Sequence, residues 1–198
     1  KYSNLGQPFV SSFTYDGGDS WSADETQVKV RGVKAWLWTV LSKQSRMILA
    51  TQFSPDERTE KRAVALFREA KEATKERPRT IVTDGLPAYR RGVTRNFYRS
   101  GDSHLRHHNR IHLAGKMNPN LMERWNGQYK ERYKVMRAFK KFKSAEAISR
   151  GFVIHYNFLV PHGSLGKTPA QAGGVNLPFE DGWGDLIRWA TIYEHRAN

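Results

Sequence analysis

Residues 21–30 (WSADETQVKV) end in an alternation of Val28, Lys29 and Val30, and a period of two predicts a strand. Two denser apolar runs follow, 35–41 (AWLWTVL) and 46–53 (RMILATQF), separated by the turn-like Ser42–Ser45, and they predict two more strands. The period then changes. Ala63, Phe67, Ala70 and Thr74 recur at helical spacing, with Pro78 as the stop. Thr80–Thr83 reads as a short apolar strand closed by Asp84-Gly85, a short helix is expected from Ala88 to Val93, and His104–His107 is expected as a fifth strand. Met122, Trp125, Tyr129, Tyr133 and Met136 lie three or four apart, which predicts a helix with a core-facing stripe. Asn118 is its expected cap and Pro119 suits its first turn. Gly127 in the middle of that helix costs about 1 kcal/mol relative to Ala, and it reads either as room for a close approach by DNA or a strand or as a tolerated defect. A further helix is expected from Ser144 to Phe158, before Pro161, and Leu186, Trp189, Ala190 and Tyr193 predict a terminal amphipathic one. Residues 1–20, rich in Ser and Gly, read as a linker or tail. The order predicts one α/β layered domain with a mixed sheet over 21–175, followed by an amphipathic extension over 176–198.

Composition sharpens this picture through charge. The 198 residues hold 33 Lys and Arg against 19 Asp and Glu, a formal net charge of +14. Nearly all of the excess lies in 86–143, where fifteen bases meet three acids and alternate with Tyr, Phe and Trp. Such a stretch reads as a phosphate-tracking surface and points to nucleic acid. The segment 57–79 mixes signs and reads as an ordinary surface helix. There is no cysteine, which excludes disulfides, thiolate metal sites and cysteine nucleophiles. No apolar run approaches the ~20 residues of a membrane span. No signal-peptide pattern opens the chain, so an intracellular location is expected.

Four acids stand where a regular element meets a turn or a basic face: Asp24, Glu25, Asp84 and Glu123. Neighbours in a strand point to opposite faces, so only one of Asp24 and Glu25 is expected to share a site with Asp84. Three carboxylates from different elements can hold two divalent cations about 3.5–4 Å apart, the clamp for in-line displacement at phosphorus. Hard oxygen ligands suit Mg²⁺ or Mn²⁺. His104, His107, His108 and His112 offer a zinc site as the rival reading, but without cysteine and among so many bases they read as a DNA-facing strand and loop. His155 and His162 read as hydrogen-bonded packing residues, with His155 placed to approach the metal site.

These residues carry a resemblance. Asp24-Glu25-Thr26 with Val28–Gly32 resembles the first acidic motif of insertion-sequence transposases with an integrase-type catalytic core. Thr83-Asp84-Gly85 with Ala88-Tyr89 is similar to their second motif, and Asn120, Glu123-Arg124, Asn126-Gly127, Lys130 and Arg132 to their third. His155–Phe158, Pro161-His162, Leu165 and Thr168–Ala170 resemble the segment that follows. The resemblance implies an RNase H-like fold, a mixed five-stranded sheet flanked by helices. It implies a DDE triad of Asp24, Asp84 and Glu123 that holds two Mg²⁺ (or Mn²⁺) ions. It also implies DNA cleavage and strand transfer on transposon ends and target, by a dimer or larger assembly in a prokaryotic cytoplasm, associated with the nucleoid. Lys130, on the face of Glu123, is the best candidate for phosphate near the cut. Asn126, Arg132, Lys134 and Arg137 extend the DNA contact. Ser42 departs from relatives that often carry an acid there, and no helix-turn-helix for end recognition is visible. The alternatives are an RNase H-like nuclease without strand transfer and a non-catalytic DNA-binding relic of a transposase.

Overall fold

The structure, a computed structural model, describes residues 2–55, 58–75, 77–98, 104–109, 120–136 and 139–197. The predicted cap residues Asn118 and Pro119, together with His112 and Arg137, lie outside them. Strand β1 (Ser20–Val30) pairs antiparallel with β2 (Val33–Ser42), from Trp21 opposite Ser42 to Val30 opposite Val33. Only Arg31 and Gly32 separate the strands, both at positive φ (52° and 81°), the two-residue turn whose twist matches a hairpin. Strand β3 (Ile48–Ser54) pairs antiparallel with β2. Ser42 is fully buried at the end of β2, and its hydroxyl accepts the Ser45 N–H in the connecting turn. It therefore builds the turn.

The chain then leaves the sheet through α2 (Glu60–Glu72) and returns as β4 (Thr80–Val82), parallel to β1. Helix α3 (Pro87–Phe97) leads to β5 (Arg106–His108), parallel to β4. The sheet order is β3-β2-β1-β4-β5. This is the expected mixed five-stranded sheet. Helix α4 (Asn120–Val135) and α5 (Phe142–Ile154) follow. The expected continuation to Phe158 is a π-helical turn, His155–Leu159, which buries Tyr156, Asn157 and Phe158 together. Asn157 there mimics a strand: its amide accepts the Ile48 N–H and donates to the Ile48 carbonyl. The chain ends with α6 (Pro169–Ala172) and α7 (Trp183–Ala197).

Alternation along the strands sorts the core. Trp21, Ala23, Trp38 and Val40 pack with Ala63, Phe67 and Tyr89 of α2 and α3. Val28, Val30 and Leu37 pack with Tyr129 and Ala145, and Leu41 with Met122 and Trp125, on the α4–α5 face. The Met122, Trp125, Tyr129 stripe is core, as its period predicts. One expectation is corrected. Within the supposed linker 1–20, Tyr2–Ser11 forms helix α1, despite Gly6 and Pro8. Phe9 and Val10 are buried in the main core, against α5 and α7. Their burial offsets the poor helix propensity of Gly6 and Pro8.

Candidate active site

Asp24 and Asp84 meet because β1 and β4 run parallel in register. Ser20, Trp21 and Ser22 lie opposite Thr80, Ile81 and Val82, and the two acids stand two residues past the last pair. Strand β4 has ended by then. Asp84 is exposed, its carboxylate accepts the Leu86 N–H, and Gly85 turns the chain at φ +98°. That φ suits glycine, and the Asp–Gly pair makes the turn.

The alternation of β1 sends Asp24 toward the α4 face and Glu25 toward α2 and α3. Asn126 of α4 donates to Asp24 Oδ2 at 2.8 Å. Tyr89 of α3 donates to Glu25 Oε2 at 2.8 Å, and Arg58, just before α2, pairs with Glu25 Oε1 at 2.9 Å. Carboxylate oxygens of Asp24, Glu25 and Asp84 nevertheless lie within 4.8 Å of one another. The expectation that only one of Asp24 and Glu25 shares a site with Asp84 is thus corrected. The two do point to opposite faces, but Asp84 sits off the end of its strand, within reach of both.

Burial pushes the Asp24 carboxyl from the ordinary 3.8 up to about 7, and the negative charges of Glu25 and Asp84 add to it. Hydrogen bonds from Asn126 and from the backbone of Glu25 oppose the rise. Tyr89 is raised well above its ordinary value, first by burial and then by Glu25, so its hydroxyl remains a donor.

Helix α4 is pinned along β1 and β2. Trp125 donates to the Thr39 hydroxyl at 3.2 Å, and the Tyr133 hydroxyl accepts the Lys29 N–H and donates to the Lys29 carbonyl. Glu123 lies one turn before Asn126 on the same side of α4, exposed, and it stands outside the 4.8 Å cluster. Asn126, expected on the DNA surface, is 8% exposed and bonded to Asp24. Lys130, Arg132 and Lys134 are exposed, with Lys134 paired to Glu131 at 2.6 Å. A Cβ placed on Gly127 would meet nothing within 4 Å among the described residues, so no strand among them explains that glycine.

Sequence reasoning missed Arg58, which it merged into a mixed-charge surface run, although it lies 33 residues from Glu25. Tyr89 was visible in the second motif without its role. His107 bonds the Thr83 hydroxyl and burial lowers it to about 4, which suits a neutral packing histidine. The ring of His155 stacks on Trp183, and neither it nor another histidine joins the acidic cluster among the described residues.

The residues present fit a hard divalent cation. Three carboxylates are crowded together, Asp24 and Asp84 have no cationic partner among the described residues, and the Asn126 Oδ1 beside them is buried without a hydrogen bond among those residues.

A family model described as "DDE domain" matches residues 18–159. Among solved structures, the chain is similar to the HTLV-2 integrase catalytic core domain in complex with magnesium: 20% identity, TM-score 0.56, 81% of this chain and 97% of that one. It is also similar to the simian T-cell lymphotropic virus intasome in complex with PP2A regulatory subunit B56 gamma, at 20% identity and TM-score 0.58, covering 85% of this chain and 57% of that one. The catalytic domain of Mos1 mariner transposase matches at 11% identity and TM-score 0.50, over 96% of this chain and 88% of that one. No curated protein matches the chain. At these identities the likenesses establish the fold, the integrase-type, RNase H-like α/β architecture.

Proposed function

The chain belongs to the DDE-domain transposase family of the integrase superfamily, and on that premise we propose that it cuts DNA at transposon ends and joins them to target DNA. The observation that carries the reading is the Asp24–Asp84 pair, held in register by two parallel strands under α4 and short of positive charge. Asp24, Asp84 and Glu123 are the proposed ligands. Asn126 fixes the orientation of Asp24, and Glu123 stands exposed in the first turn of α4, on the side of Asn126. Two bound Mg²⁺ or Mn²⁺ ions would supply an activated oxygen nucleophile and neutralise charge on the phosphorus centre.

The remaining steps fall to the chain itself. Lys130 and Arg132, exposed on the helix that carries Glu123, hold the phosphates of the cut strand, and Lys134 and Arg137 extend the track. Positive charge on this face offsets the repulsion between the acids and the DNA backbone. Two DNA ends and a target call for a homodimer or larger assembly. Among the described residues no helix is long and apolar enough to cross a membrane. The proposed place of action is the nucleoid, in a prokaryotic cytoplasm.

The test is Asp84→Asn. With Mn²⁺, the parent joins a labelled duplex bearing a free 3′-hydroxyl to plasmid DNA, and the variant loses about a hundredfold or more. Joining by the variant at the parent rate refutes the assignment. Hydrolysis without joined product in the parent makes the chain a nuclease instead.

A further inference from the structure

Glu25 is the odd member of the acidic cluster. Both of its oxygens are taken: Oε1 by the Arg58 guanidinium at 2.9 Å and Oε2 by the Tyr89 hydroxyl at 2.8 Å. Its side chain is 3% exposed, whereas that of Arg58 is 43% exposed. Arg58 is held from a second side, its guanidinium lying 4.7 Å from the centre of the Trp36 ring. Asp24 and Asp84, in contrast, form no ion pair among the described residues. The three carboxylates therefore divide into two that lack a counter-charge and one that already has it.

We infer that Arg58 is a built-in counter-cation that keeps Glu25 out of the metal's ligand set and so sets how tightly the Asp24–Asp84 site takes its ion. This rests on the metal-dependent reading above. The reason is electrostatic. A third bare carboxylate within 4.8 Å of the other two would draw any divalent cation more strongly. Pairing with a guanidinium cancels that charge, and the hydrogen bonds occupy one lone pair on each Glu25 oxygen. The second Glu25 oxygen is bound by Tyr89, which burial keeps protonated, so displacing it would leave a buried hydroxyl without its acceptor. Arg58 comes from the segment just before α2, while Tyr89 comes from α3, so the pair also ties these two helices to β1. Arg58 and Glu25 are positioning residues on this account. Neither touches the reacting atoms.

Charge and ligation make opposite forecasts for a double variant, and that decides the question. Mn²⁺ affinity is measured on the full chain, by titration calorimetry or by the electron paramagnetic resonance of free Mn²⁺. Glu25→Gln leaves Arg58 unpaired beside the site and should weaken Mn²⁺ about tenfold. Arg58→Gln leaves an extra negative charge and should tighten it roughly threefold or more. The double variant removes both charges and should return to within about threefold of the parent. If the double variant stays as weak as Glu25→Gln alone, Glu25 is a ligand and the inference is overturned. An unchanged affinity in Arg58→Gln, whose replaced side chain is half-exposed, overturns it too. Asp84→Asn separates the two levels. If it binds Mn²⁺ like the parent, the metal site itself is refuted, whereas loss of binding there with no rescue in the double variant refutes only the role of Arg58.

Discussion

Replacing Asp24 by Asn should make the metal-free protein more stable, and the gain should depend on pH. Asp24 rises from the ordinary 3.8 to about 7 on folding, through burial first and then the charges of Glu25 and Asp84. A carboxyl whose folded value is raised favours the protonated native state. Below 3.8 both states are protonated and nothing is lost. As pH climbs from about 4 to about 7, the unfolded chain gives up the proton while the native chain keeps it, and stability falls. Above 7 the loss is complete, with an upper figure of about 4 kcal/mol at 1.36 kcal/mol per pH unit between the two values. Between pH 5 and pH 8 the parent should lose about 2–3 kcal/mol from this group alone. Asparagine is nearly isosteric and can still accept the amide proton of Asn126, but it carries no charge.

The assay is urea unfolding of parent and Asp24→Asn at both pH values, without divalent metal. All other titrating groups are common to the two proteins, so the difference of differences isolates the site. Asp24→Asn should gain about 2–3 kcal/mol more over the parent at pH 8 than at pH 5. Mg²⁺ at pH 8 should stabilise the parent and have little effect on the variant. A stability gap between the two proteins that is the same at both pH values would refute the reasoning. It would mean that Asp24 is ionised at neutrality without a metal, and that the crowding of three carboxylates costs nothing.

Gly127→Ala should stabilise α4 by about 0.5–1 kcal/mol, since the position is exposed and a Cβ meets nothing within 4 Å. If DNA passes over that face, joining should fall in the same variant, and a variant that is more stable and equally active would show that the glycine serves no substrate. Asn157→Ala strips the Ile48 N–H and carbonyl of their partners in a buried setting and should cost about 2–4 kcal/mol in urea unfolding. A cost below about 1 kcal/mol would mean that water replaces the amide there.

Where one face of an element is buried, the residue pattern was a sound guide. Val28 and Val30 in β1, Leu37 and Leu41 in β2, and Met122, Trp125 and Tyr129 in α4 are buried as their periods require. The pattern failed where contacts distant in sequence decide the structure. Helix α1 contains a proline and a glycine, both poor helix formers, and it is ordered by packing Phe9 and Val10 in the core beside α5 and α7. The π-helical turn at His155–Leu159 has no signature beyond the Asn157 that uses it. Arg58 stands in a run of mixed charges that resembles any solvated helix start. Its role appears only when β1 comes alongside.

The acidic site shows the same division. Strand alternation correctly assigns Asp24 and Glu25 to opposite faces, and the structure gives each its own partner, Asn126 on one side and Tyr89 with Arg58 on the other. It cannot say what a carboxylate beyond the end of the neighbouring strand will reach. Asp84 is such a group, because β4 stops at Val82 and the chain turns away at Gly85. A strand that ended two residues later would have committed Asp84 to a single face. The early end of β4 therefore makes a site with an excess of carboxylates, and the protein meets that excess with one guanidinium, placed on Glu25 alone. Positive charge for the other two has to come from outside the described fold. The chain's net charge of +14 does not supply it, because the exposed bases of α4 form no ion pair with Asp24 or Asp84 among the described residues. A polypeptide this basic that leaves two carboxylates bare beside one neutralised glutamate is arranged for a cation at the acids and a polyanion on the helix above them.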